Sequence, residues 1–87
     1  MAFNALSQPN RLALFKAISN SNDGLNTTDA AKAAGTLINT ATVNLTVLSA
    51  AGLIQSTREG RSVVHRAQPK AVRKLADFLI GIVDGKE

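Results

Sequence analysis

The 87-residue sequence has no cysteine, no tryptophan, no tyrosine and a single histidine. Without a thiol there is no disulfide, no thiolate metal site and no cysteine nucleophile. With three aromatic residues, all phenylalanine, the core must be built from Leu, Ile, Val and Ala, a composition that favours helices. No apolar run reaches the roughly 18 to 20 residues that span a bilayer, and the opening MAFNALSQPN lacks the basic start and long apolar stretch of a secretory signal. A soluble cytoplasmic protein with no membrane partner is expected. There is no glycine-rich phosphate loop, and no serine is placed by the sequence beside a histidine and a carboxylate, so catalysis is not expected either.

One further absence is local. No charged residue occurs between Thr36 and Thr57, although the net charge is +4 and six of the ten cations (Arg58, Arg61, Arg66, Lys70, Arg73 and Lys74) follow directly. A basic field of this kind suits a polyanionic partner, and here it is confined to one part of the chain.

The segment ALSQPNRLALFKAISNS reads as a first helix. Pro9 suits its first turn, Ser7 or Gln8 is the cap, and Leu12, Phe15 and Ile18 recur at helical spacing beside Leu14. The turn formers NSNDGLN follow as a loop. A short second helix begins with Thr27 as cap, has Asp29 in its first turn and ends at Gly35, offering the small residues Ala30, Ala31 and Ala34 for close packing. The third helix is expected from about Asn39 to Ala51. It turns Ala41, Leu45, Leu48 and Gly52 inward, with Asn44 and Ala51 at the flanks, and Asn39, Thr42, Val43, Thr46 and Ala50 outward.

The second and third helices, joined through GTLI, form a helix-turn-helix pattern. LIQST and SVVHRA then read as two strands joined by REGR, with Gly60 in the turn. A last helix runs through KAVRKLADFLIGIVDG, with Val72, Leu75, Leu79 and Ile82 on one stripe and Phe78, Ile80 and Val83 widening it. An apolar face that broad calls for cover on two sides, its own domain and a second copy of the chain. The order is helix, helix, helix, strand, strand, helix, and residues 1–87 are read as a single mainly α domain with a small β-hairpin.

This order resembles the ArsR/SmtB family of winged helix-turn-helix repressors. The likeness lies in Ser7, Pro9, Arg11 and Leu12 of the first helix. It continues in Leu48, Ala51, Gly52, Leu53, Arg58, Glu59, Gly60 and Arg61, which are similar to the family's recognition-helix end and wing. The resemblance implies a homodimeric regulator of double-stranded DNA, dimerising through terminal helices at Phe3, Leu6, Leu75, Phe78, Leu79 and Ile82.

The sequence departs from the family where metal-sensing members carry cysteines. Asp77 and Asp84 of the last helix lack a histidine partner, His65 is expected to be a packed strand residue, and no metal or other cofactor is expected. Leu37 also stands near where the family commonly has a capping serine, with Thr36 or Asn39 as substitute caps, and Val43 and Thr46 stand where basic or hydrogen-bonding residues are frequent.

Affinity for DNA comes mostly from phosphate neutralisation and discrimination from base-edge contacts, so the two tasks can be divided. Arg58, Arg61 and Arg66 are the candidates for the backbone or minor groove. Asn39, Thr40, Thr42, Val43 and Thr46 are the candidates for the bases, with Val43 against thymine methyls and an operator leaning to A/T. The other reading of the same face is a protein-binding module that no longer reads DNA specifically, with TLI, Val43 and Val47 as its patch.

Overall fold

The computed structural model describes residues 5–6 and 8–83. Phe3, Ser7 and Asp84, each named above, lie outside them. Helix α1 is Pro9–Ser19, strand β1 Leu25–Asn26, helix α2 Thr27–Ala34, helix α3 Ile38–Ala50, strands β2 and β3 Ile54–Glu59 and Ser62–Ala67, and helix α4 Pro69–Val83. The expected order holds with one addition. Leu25 and Asn26, assigned above to a loop, pair antiparallel with His65 and Val64, so the hairpin becomes a three-stranded sheet in the order β1-β3-β2. Gly24 makes this approach feasible. Its φ is 83°, and a Cβ there would lie 2.8 Å from the His65 carbonyl oxygen and 2.7 Å from Cγ of Arg66.

Helix starts follow the local chemistry. Gln8 caps α1, its Oε1 accepting from the Arg11 amide at 2.8 Å with Pro9 just inside the helix. Asn26 caps α2 in place of the expected Thr27, its Oδ1 accepting from the Asp29 amide at 2.8 Å. The Thr27 hydroxyl is engaged with His65 instead. At α3 the flanking residue is Leu37, which has no side chain able to cap, and neither Thr36 nor Asn39 replaces it.

Two of these helices end in the same way. Gly35 has φ 69°, with Thr36 N–H donating to the Ala31 carbonyl and Gly35 N–H to Lys32. Gly52 has φ 77°, with Leu53 N–H donating to Leu48 and Gly52 N–H to Ser49. This is the left-handed termination that glycine permits. Gly52 is therefore an exposed stop, not part of the inward face of α3 as expected, and the chain turns so that Leu53 is fully buried.

The core lies between α1, α2, α3 and the root of the sheet. Leu14, Phe15 and Ile18 meet Ala30 and Ala31, then Ala41, Leu45 and Leu48, with Leu53 and Ile54 closing the base. Burial of such aliphatic side chains, at roughly 25 cal/mol per Å², is the main favourable term for a domain of this size. Polar contacts of Arg11 cross it. The Arg11 guanidinium donates to the Ala5 carbonyl at 2.7 Å and to Oδ1 of the buried Asn44 at 3.3 Å, tying α1 to α3. Helix α4 differs from the rest, with no buried residue. Its apolar side chains Leu79, Ile80, Ile82 and Val83 are exposed and Leu75 and Phe78 half-buried.

Candidate nucleic-acid interface

Helix α3 sits on the core through Ala41, Asn44, Leu45 and Leu48, which fixes what its other side presents. Asn39, Thr42, Val43 and Thr46 are exposed and Thr40 is half-buried. The two outward threonines have a particular geometry. Oγ1 of Thr42 donates to the Ile38 carbonyl at 2.9 Å, and Oγ1 of Thr46 to the Thr42 carbonyl at 3.0 Å. Each hydroxyl proton is used one turn back along the helix, leaving an acceptor and a methyl group.

The hairpin register decides where the arginines stand. Ser56 faces His65 and Arg58 faces Val63, so alternation puts Ser56, Arg58, Val63 and His65 on one face of the ribbon. Gln55, Thr57, Glu59, Val64 and Arg66 lie on the other. Gly60, with φ 63°, takes the first of the two turn positions and puts Arg61 at the tip. Arg58 and Arg61 are exposed.

Arg66 does not join them. It lies on the opposite face, where its Nη1 donates to Oε2 of Glu59 at 2.6 Å. That hydrogen bond, reinforced by opposite charge, holds the Glu59 carboxyl below its ordinary range and raises the guanidinium. The sequence groups Arg66 with the wing arginines because strand register cannot be read from spacing alone. Its partner Glu59 is visible there only as part of the turn motif.

Between α3 and the hairpin lies an open cleft of about 460 Å³. Thr42 and Thr46 of α3 and Ser56 and His65 of the hairpin share its lining. The cleft thus brings the outward threonines and the Arg58 face of the wing to one surface. Its floor is pinned by His65, which is 5% exposed. Ser56 Oγ lies 2.7 Å from Nδ1 and Thr27 Oγ1 2.9 Å from Nε2. Burial pushes the imidazole below its ordinary value, towards the neutral form. A neutral ring has one donor and one acceptor nitrogen, so one hydroxyl donates to it and the other accepts. The packed strand position expected for His65 is what is found, but the links to α2 and β2 are not legible in the sequence.

Of the remaining predicted residues, Leu6 is half-buried and packs on the core, while Leu79 and Ile82 are exposed on α4. Large apolar side chains are also exposed at the start of α3, with Leu37 at 76%, Ile38 at 50% and Val43 at 65%.

Comparison with known proteins agrees with this geometry. Residues 6–57 match a family model described as a helix-turn-helix domain. No curated protein sequence matches the chain. Among solved structures, an ArsR-like transcriptional regulator from Rhodococcus sp. RHA1 superposes with a TM-score of 0.80 at 24% identity, covering 95% of this chain and 76% of that one. The homodimeric winged helix-turn-helix DNA-binding domain Mb0332 from Mycobacterium bovis gives 0.75 at 25% identity, with 95% and 75% covered. The AntR antimony-specific transcriptional repressor gives 0.70 at 27%, with 98% and 77% covered. The fold is that of ArsR-type winged-helix regulators, as the sequence motifs implied.

Proposed function

The chain belongs to the helix-turn-helix domain family, and on that premise we propose that it is a homodimeric, cytoplasmic repressor that binds its operator sequence-specifically. Residues 1–87 act on this reading as one winged-helix domain. The observation that carries it is the single surface formed across the cleft by the uncharged outer side of α3 and the arginine-bearing face of the wing.

Arg58 and Arg61 neutralise phosphate, and Asn39, Thr40, Thr42, Val43 and Thr46 face the bases. Arg66 serves the hairpin through Glu59 and contributes less. The exposed apolar side of α4 takes a second copy of the chain, with Leu75, Phe78, Leu79 and Ile82 at the contact and Leu6 at its edge. The Mycobacterium bovis domain is a homodimer and the antimony-specific relative a repressor, and both support the assignment. No thiolate sensor is part of it, because the sequence has no cysteine.

The test separates wing from helix. Arg58→Ala with Arg61→Ala should weaken binding to cognate and random duplexes alike and reduce the salt slope by roughly one for each phosphate no longer neutralised. Asn39→Ala should cost about 1–3 kcal/mol per base contact on the cognate site and leave random binding unchanged. If helix substitutions are silent on the best selected sequence while the wing pair removes all binding, the helix is not a reader. The protein-partner reading, favoured by the exposed Leu37, Ile38 and Val43, then takes its place.

A further inference from the structure

To read the acceptor groups of base edges (purine N7, guanine O6, thymine O4), a helix needs free donors. In α3 the two central outward threonines have none to offer, since their hydroxyl protons are held by the Ile38 and Thr42 carbonyls. What they present outward is a methyl group and an acceptor. Ile38 and Val43, both large apolar residues with exposed side chains, share the helix face that carries them. At 100° per residue Ile38, Thr42, Thr46 and Val43 fall within an arc of about 140°. Inside the same arc Asn39 carries an amide and Ser49 a hydroxyl.

Exposed aliphatic side chains grouped in this way are informative, because a monomeric surface rarely keeps them together. The charge around them indicates what covers them. The patch is neutral and its helix has no charged residue, while Arg58 projects from the hairpin face that borders the same cleft and Arg61 from the tip. An apolar reading face bordered by cations fits a partner whose perimeter is anionic and whose recessed edge has apolar groups. The major groove has one such group, the C5-methyl of a pyrimidine, and the first residues of a recognition helix are the ones that reach base edges.

We infer that α3 reads its operator through C5-methyl groups, with Ile38, Val43 and the methyls of Thr42 and Thr46 as the contacts. Recognition therefore depends on thymine methyls and accepts 5-methylcytosine where it accepts thymine. This rests on the DNA-binding reading above and specifies the chemistry of the same surface. Discrimination arises from burial of methyl surface, which makes the helix sensitive to a covalent mark on the operator that leaves base pairing unchanged.

The experiment uses the full chain and the best duplex selected from a random pool. Each thymine of a half-site is replaced by deoxyuridine, which removes only the methyl. Loss of affinity of roughly fourfold per contacted methyl is expected, and roughly fifteenfold when both half-sites are changed. At the same positions 5-methylcytosine should bind better than cytosine by a similar factor. Val43→Ala, at an exposed site where folding is unaffected, should weaken binding to the thymine duplex and abolish the further loss on the uracil duplex at one position. A protein that prefers its selected duplex yet is indifferent to uracil at every position overturns the methyl reading and leaves DNA recognition standing. A protein with no preferred duplex overturns both.

Discussion

The bridge from Thr27 through His65 to Ser56 joins α2, β3 and β2 and sets the wing relative to the helix-turn-helix, so weakening it should be measurable in both stability and binding. Thr27→Val keeps a β-branched shape at the helix start and leaves the Asn26 cap untouched, while Ser56→Ala removes the 2.7 Å hydrogen bond to Nδ1. Each hydrogen bond contributes about 0.5–1.5 kcal/mol. The ring borders an open cleft in which water can replace a missing hydroxyl, so each single change should fall in the lower half of that range. The pair together should cost about 1–2 kcal/mol. His65→Ala also removes a buried ring and should cost about 2–4 kcal/mol.

Acid acts on the same bridge. His65 is the only histidine, and burial lowers its folded-state value below the ordinary 6.5. The neutral ring is thus the folded form, its stabilisation is complete above pH 6.5, and it is lost as pH falls through the lowered value. At pH 5.5 the loss relative to pH 7.5 has a ceiling of about 1.4 kcal/mol. Urea unfolding at fixed protein concentration, at both pH values, measures each quantity. Equal stability of wild type and the Thr27→Val, Ser56→Ala pair, or an unchanged pH response in His65→Ala, would refute the bridge as a structural element.

Three further outcomes follow from the fold. Gly24→Ala places a side chain at positive φ against the His65 carbonyl and should destabilise by about 2–4 kcal/mol in thermal unfolding. Leu79→Glu with Ile82→Glu, both at exposed positions of α4, should give a monomer with unchanged helix content by ultracentrifugation and circular dichroism. Zinc, cadmium, arsenite or a chelator should change DNA affinity by less than about tenfold, or roughly 1.4 kcal/mol, in a binding titration, because the chain has no thiol and its one imidazole is held between two hydroxyls.

The parts of the fold legible in the sequence are those set by local rules. Pro9 after Gln8, Gly35, and the 3.6-residue recurrence of Ala41, Leu45 and Leu48 each act through neighbours a turn away, and they stand where spacing puts them. The pieces that spacing misses depend on distant partners. Leu25 and Asn26 are a strand only because β3 lies beside them, and a two-residue strand has no period to detect. Thr27 yields its expected capping role to Asn26, with its hydroxyl turned to a histidine 38 residues away. At the candidate site, Thr42 and Thr46 are legible as outward, but not the return of their hydroxyls to the backbone. Arg66 is legible as a cation, but not as one turned to the far face and held by Glu59.

Selection of bound duplexes from a random pool, followed by titration of the best sequence and a scrambled one at a fixed physiological salt concentration, tests sequence-specific DNA binding most directly. The expected result is an enriched, palindromic, A/T-leaning site with half-sites about 10 base pairs apart. Preference over scrambled DNA should be at least about 10³, and affinity should fall steeply as salt is raised. A pool that shows no enrichment, with weak retention that ignores sequence, would contradict the assignment of this chain as an operator-binding regulator.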